Sequence, residues 1–162
     1  MSLIDLTYFT KTLSLTGLSG TTAAALAKQA ELTDFIARYE PLFLKSVLGD
    51  DLFAEFYAGI VIVPPAAKWT ALRDKLINST LKTSPIANYI WYNWQEQHQQ
   101  ISTESADIQV QTAVAATQKY VQVNEQMVDQ LVTFYDWFDQ QTIYTTYDGT
   151  VAELGSINQF GI

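Results

Sequence analysis

The sequence predicts an all-α fold: a helical bundle of four to five helices with a long last helix, an inserted loop before it, and extended N- and C-terminal segments. Three observations carry this. Apolar residues recur three and four apart through most of the chain after residue 21, which is the period of a helix face and not of a strand. Glycine and proline punctuate the periodic stretches at Gly17, Gly20, Gly49, Gly59 and Pro64-Pro65. One stretch, from about Thr112 to Gln141, keeps its helical spacing without a break.

Taken in order, residues 1–20 form an extended N-terminal segment rich in Thr, Ser, Leu and Gly, in which Leu6–Thr10 can pair as a short strand or lie extended on a neighbour. The bundle domain spans 21–142. Thr21 or Thr22 can cap a helix through Ala23–Ala30. In the next helix Leu32, Phe35, Ile36, Tyr39, Phe43 and Val47 share helical spacing, and Pro41 should kink or divide it near Glu40. Gly49 suits a left-handed C-cap. Asp50 can then cap a short helix, Asp51–Ala58, closed by Gly59, with Leu52, Phe53, Phe56 and Tyr57 as its apolar stripe. A further helix near Ala66–Asn78 carries Trp69, Leu72, Leu76 and Ile77 inward.

Ser84-Pro85 opens the central helix, since a serine N-cap followed by a first-turn proline is a helix-start signature. Residues 85–94 are apolar or aromatic almost all round, so this half belongs in a core. The next six residues, Gln95 to Gln100, are polar, and they carry the chain outward. The segment 101–111 breaks the pattern and reads as an exposed loop. In the last helix Val114, Thr117, Val121, Asn124, Val128, Leu131, Tyr135 and Phe138 alternate three and four apart as a packing seam. Ala113, Ala116, Tyr120, Val123, Met127, Phe134 and Trp137 widen it. The tail, 143–162, holds too many apolar residues for a free end, and it is expected to dock on its own domain or on a neighbouring subunit.

Composition removes whole classes of function. The 162 residues include no cysteine, which excludes disulfides, thiolate zinc sites and thiol catalysis. A single histidine, His98, excludes multi-histidine metal sites, and no calcium-loop pattern is present. No cofactor is implied. The start of the chain lacks a signal peptide, and the longest apolar run, Gly59–Pro65, is far short of the roughly 20 residues a membrane span needs. The protein is therefore expected to be soluble and made in a cytoplasm, with no membrane partner. Net charge is −8, from 17 acidic and 9 basic residues. That argues against a protein that grips the phosphate backbone, yet it suits a surface past which DNA slides without sticking.

No catalytic constellation emerges. Trp91 and Trp94 with Tyr89 and Tyr92 have the stacking area of a nucleic-acid platform, but no Lys or Arg lies between Lys82 and Lys119, so core packing is the reading. His98 and Glu96 are two apart and point to different sides of a helix, which leaves His98 an exposed bystander. Asp50, Asp51 and Glu55 are better explained by helix capping than by a cation. Asn124 on the seam has two readings, a cross-helix hydrogen bond that sets register or simple tolerance at the bundle edge. The chain is not expected to be an enzyme.

Two blocks carry a family resemblance. They are Phe35-Ile36-x-Arg38-Tyr39-Glu40-Pro41-x-Phe43-Leu44-x-x-x-Leu48-Gly49-x-x-Leu52-x-x-Glu55-Phe56 and Pro85-Ile86-Ala87-Asn88-Tyr89-x-Trp91-Tyr92-x-Trp94. Together they resemble a family of tailed-phage neck proteins from phages and prophages of Bacteroidetes hosts, distant relatives of the head–tail connector (adaptor) proteins. Asn124-Glu125-Gln126-Met127-Val128 is similar to that family's last-helix pattern. The resemblance covers roughly residues 33–140, and the loop at 101–111 departs from it, lacking the family's Gly-rich, Lys-containing sequence. It implies a small helical bundle that assembles with itself into a ring of twelve beneath the portal protein, in the neck of the virion. Its further partners are then the next neck or tail protein and genomic DNA passing nearby. It supplies no catalytic residues.

On this reading the contacts come from the projecting segments. Candidate interaction residues are Ile101, Glu104, Asp107, Ile108 and Val110 in the loop, and Ile143, Tyr144, Tyr147, Leu154 and Phe160 in the tail; the segment 1–20 is a third candidate arm. Two other roles stay open, a stopper or tail-completion protein of the same neck and a helical binding module outside the virion.

Overall fold

A computed structural model describes residues 2–102 and 110–147 of the chain. Among them are a short 3₁₀ turn, Leu6–Phe9, and five helices: α1 (Ala23–Leu48), α2 (Asp50–Ile60), α3 (Ala67–Leu76), α4 (Pro85–Ser102) and α5 (Val110–Phe138). The described residues contain no strand, only one isolated bridge between Asn78 and Thr83 in the α3–α4 turn. The fold is an all-α bundle. The α4 helix packs on α1, on α5 and on the 3₁₀ turn, while α2 links α1 to α3.

The core explains this arrangement. Ile86, Ala87 and Ile90 are fully buried and Trp91 and Trp94 nearly so, so the first half of α4 is surrounded by protein, as its all-round apolar sequence predicts. Ser84 starts the helix: its Oγ accepts from the Ile86 N–H at 3.1 Å and donates to the Leu76 carbonyl at 2.9 Å. Phe35 meets the edge of Trp94 at 5.3 Å and stacks on Tyr39 at 4.2 Å. Such pairs fix ring geometry as well as bury area.

Several local expectations are corrected. Leu6–Phe9 is a 3₁₀ turn and neither strand nor extended chain, capped by Asp5, whose side chain accepts from the Thr7 N–H at 2.8 Å. The segment 2–20 lies on its own bundle and is not held out from it: Ile4, Tyr8, Phe9, Leu13, Leu15 and Leu18 belong to the main core. Helix α1 runs unbroken for 26 residues through Pro41. Proline lacks one N–H, but Ile36 and Glu40 before it and Phe43, Leu44 and Val47 after it are all buried on one side. That packing outweighs the local penalty.

Gly49 does end α1 with a positive φ of 75°, and its N–H donates to the Lys45 carbonyl. It is also the N-cap of α2. Asp50 therefore stands in the first turn of α2 and caps nothing through its side chain, pairing instead with Lys45 at 3.1 Å. Gly59 does not close α2 but lies inside it, against the Trp69 indole. Tyr57 is exposed, outside the stripe formed by Leu52 and Phe56. Helix α4 continues to Ser102, so Ile101 is helical.

The seam on α5 is rotated from its expected place. Val123, Met127, Leu131, Phe134 and Phe138 face the core, whereas Val121 and Val128 are 50% and 45% exposed. Thr117 is exposed as well. Of the residues expected to widen the seam, Val123, Met127 and Phe134 form its centre.

Candidate interaction surfaces

In the chain the sequence-derived interaction residues form two groups, one before α5 or at its first residue and one after it. Ile101 stands in the last turn of α4 and Val110 is the first residue of α5. Glu104, Asp107 and Ile108 lie between them, outside the described residues, as do Leu154 and Phe160. At the other end the chain leaves α5 and passes through Ile143, Tyr144 and Tyr147. The 29 residues of α5 put Val110 roughly 44 Å from the end of the helix at 1.5 Å per residue.

The three described tail residues behave differently. Ile143 is half-exposed. Tyr144 is a core residue: its ring stacks on Phe138 at 5.1 Å, and its hydroxyl donates to the Lys68 carbonyl at 2.8 Å. Tyr147 meets Phe138 edge-on at 4.8 Å. The start of the tail thus docks on its own domain, and only Ile143 of the three presents a large apolar surface outward.

Two exposed apolar surfaces lie outside the candidate interaction residues. On α5, Val121, Val128 and Val132 stand seven and four residues apart on one solvent-facing stripe. Beside it Glu125, Asp129 and Asp136 form an exposed acidic row. Between α2 and α3, the tip Val61-Ile62-Val63 is open, with Val63 91% exposed. The valine stripe was legible as a 3–4 repeat. The tip was read only as a run too short to span a membrane.

A third feature is a cleft of about 310 Å³ between the end of α3, the Asn78–Thr83 turn and α5. Leu76, Pro85 and Phe134 give it apolar walls, and Asp129 and Gln130 of α5 line it. Gln130 Oε1 itself is sealed from solvent and has no hydrogen-bond partner. Nothing in the sequence pattern marks the cleft, because its residues come from positions some 50 apart.

Three ionisable groups are held within the packed bundle. Glu40 is only 2% exposed. Its carboxylate accepts from the Leu3 N–H at 2.8 Å, the Ile4 N–H at 3.2 Å and the Ser2 hydroxyl at 2.7 Å. Burial pushes its pKa up, and these bonds only partly oppose the rise. Tyr135 donates its hydroxyl to the Val47 carbonyl at 3.1 Å, and burial, with Tyr147 and Asp139 nearby, pushes it up to about 12. Tyr120, between Trp91 and Tyr92, is also pushed to about 12, by burial first and then by Tyr92 and Glu96.

His98 is not a bystander. It stacks on Trp94 at 4.1 Å, its Nδ1 lies 2.8 Å from the Trp94 carbonyl, and its Nε2 lies 3.3 Å from Glu31 on α1. Its acidic partner is 67 residues away in the chain, and Glu96 plays no part. Asn124 Oδ1 is buried without a donor, so that oxygen makes no cross-helix bond. Among the described residues no group of three or more His, Asp or Glu side chains is placed to hold a metal ion, and no helix is long and apolar enough to cross a membrane. No family model matches the chain, and no curated protein or solved structure does either.

Proposed function

We propose that the chain is a structural head–tail connector (adaptor) subunit of a tailed phage, forming a ring beneath the portal that joins it to the next neck or tail component and lets DNA pass. The observation that carries this reading is one 29-residue helix, anchored in the core from Val123 to Phe138, that stands between two candidate contact regions of the chain. A subunit built this way can engage different partners above and below. Between the ends, the valine stripe of α5 offers an apolar surface to the next copy. A head-to-tail contact of that kind closes into a ring when its rotation allows. The acidic row beside the stripe repels phosphates, which suits a surface near a DNA path.

The resemblance blocks agree with the same architecture, because most of their named residues lie in the core: Phe35, Phe43, Leu52, Phe56, Trp91 and Trp94 are buried. They support the bundle more directly than its role. A stopper or tail-completion role would be favoured by a β-rich core, and the described core is helical. A binding module outside the virion shares all the surface features but predicts a small soluble oligomer. Mass measurement of the purified chain, together with electron microscopy of virions decorated with an antibody to it, separates these readings. A ring-sized assembly and neck labelling are expected; absence of the protein from virions rules the connector out.

A further inference from the structure

Resting on the ring proposed above, we infer that the valine stripe of α5 packs on the outer face of α1 in the next copy, with Arg38 and Lys45 of one copy set against Glu125 and Asp129 of its neighbour.

Both faces are exposed helix surface, and they lie on different sides of the bundle. Helix α4 packs on both α1 and α5. Each of those two helices turns its buried residues inward, Leu32, Phe35 and Ile36 on α1 and Val123, Met127 and Leu131 on α5. The two touch directly where Tyr135 donates to the Val47 carbonyl. The surface that α1 leaves outside is apolar and mostly short. Leu26 and Leu42 are 51% and 52% exposed, and Ala27, Ala30 and Ala37 are exposed with them. Short side chains let another helix come close, because the distance between packed helices follows the side chains at the contact. Two complementary patches on different sides of one subunit make a head-to-tail contact.

Direction and level fit as well. Glu31 faces His98, Phe35 meets Trp94 and Tyr39 meets Tyr89, so α1 and α4 are antiparallel. Tyr120 meets Trp91 and Tyr92, while Pro85 lines the cleft with Gln130 and Phe134, so α4 and α5 are antiparallel too. Helices α1 and α5 are therefore parallel, with Tyr39 near the level of Gln122. Rotation about an axis along the helices keeps direction and level from copy to copy. Arg38 then comes level with Val121, Leu42 with Glu125 between Val121 and Val128, and Lys45 with Val128 and Asp129.

The charges favour this occupant over others. Arg38 is exposed. It is the one helical cation with no carboxylate, ring or carbonyl partner among the described residues. Lys45 holds Asp50 at 3.1 Å, but their side chains are 49% and 81% exposed, and surface pairs of that kind are weak. Glu125 and Asp129 are exposed and have no ion pair among the described residues. Asp34 on α1 lies near the level of Thr117, about 12 Å short of Glu125, and Asp136 lies about 12 Å beyond Lys45, free to face a DNA path. A contact of α5 with α5 would set acid against acid, which is costly at an interface. Residues 143–162 contain no Lys or Arg to meet the row.

The chain has no cysteine, so single introduced thiols report the contact. Full chains carrying Leu42→Cys and Val128→Cys are oxidised alone and as a mixture. The disulfide between the two different chains is expected at several times the yield of either self-linked dimer. Arg38→Glu and Glu125→Arg should each weaken self-association in sedimentation velocity by about threefold or more. The double variant should restore it, with helical circular dichroism unchanged throughout. A favoured self-linked dimer of either cysteine variant overturns the contact. So does a Val128→Cys thiol closed to maleimide in the monomer, which puts the chain's own residues on the stripe, and so does a chain that stays monomeric at every concentration. Ring-sized assemblies that form without the mixed disulfide and ignore the charge reversals overturn the α1–α5 contact and leave the connector reading standing. The mixed disulfide in a protein absent from virions does the reverse.

Discussion

Glu40 holds the first residues of the chain against the bundle through three donors on Ser2, Leu3 and Ile4. Replacing it by Gln puts an amide NH₂ at one of two accepting positions, Oε1 facing the Leu3 N–H or Oε2 facing Ser2, Leu3 and Ile4, so a donor meets a donor either way. A loss of about 1–3 kcal/mol is expected in denaturant unfolding. The pH dependence has a definite sign. Because burial raises the folded-state pKa above the ordinary value of 4.5, the contribution of this titration is fully present below that value and fades as pH rises through the folded pKa. The stability gap between wild type and Glu40→Gln should therefore widen on acidification from neutral pH; a gap that narrows contradicts the burial argument. The inward position of Glu40 had a sequence signal, since it shares the i, i+4, i+7, i+11 face of Ile36, Phe43 and Val47. Gly59 had none. A Cβ there would sit 1.9 Å from Trp69 Nε1, a contact between α2 and α3 that no local pattern encodes. Gly59→Ala improves helix propensity by about 1 kcal/mol, yet overpacking should reverse the sign and cost about 1–3 kcal/mol. Calorimetric melting checks this: a raised Tm for Gly59→Ala contradicts the close approach, and Trp69→Phe in the same chain should relieve part of the loss.

At the scale of the helix, spacing is more legible than facing. The existence of each helix followed from its period and its Gly and Pro punctuation, and Trp69, Leu72 and Leu76 on α3 lie inward as expected. Helix α5 shows where periodicity runs out. A strict seven-residue repeat drifts by about 20° per heptad around a straight helix, so by roughly 60° over three heptads. The 3–4 seam therefore begins on the solvent side at Thr117 and Val121 and reaches the core at Leu131 and Phe138. Sequence alone gives two apolar arcs on this helix and does not say which one the bundle covers. The structure covers the arc of Val123, Met127 and Phe134 and leaves the arc of Val121 and Val128 exposed. The two arcs should respond oppositely. Met127→Ala is expected to cost about 2–5 kcal/mol as a core truncation. Val128→Glu should change monomer stability by no more than about 0.5 kcal/mol while abolishing self-association in sedimentation velocity. Retention of the full assembly by Val128→Glu would remove the stripe from the interface.

For the whole molecule, the decisive division lies within the tail. The sequence marks 143–162 as one docking unit because its apolar residues have no period to separate them. Within the described part of the tail, Tyr144 is set apart from its neighbours by burial and by its bond to the Lys68 carbonyl, which ties the end of α5 to α3. Two truncations then make different predictions. A chain ending at Thr142 loses a buried aromatic that stacks on Phe138, and losses of this size typically reach about 3–5 kcal/mol. A chain ending at Tyr147 keeps that aromatic and the Tyr147–Phe138 contact, so its unfolding midpoint should lie clearly above that of the chain ending at Thr142. If the residues beyond Tyr147 serve attachment, the longer truncate should be folded and yet fail to co-purify with the portal or to assemble with its own copies. Helical circular dichroism and melting of the two truncates, set beside a pull-down on immobilised portal, resolve the matter. Equal stability of both truncates would deny Tyr144 its place in the core. Undiminished assembly and portal attachment by the chain ending at Tyr147 would confine the interaction surface to the bundle itself, at the valine stripe and the Val61-Ile62-Val63 tip.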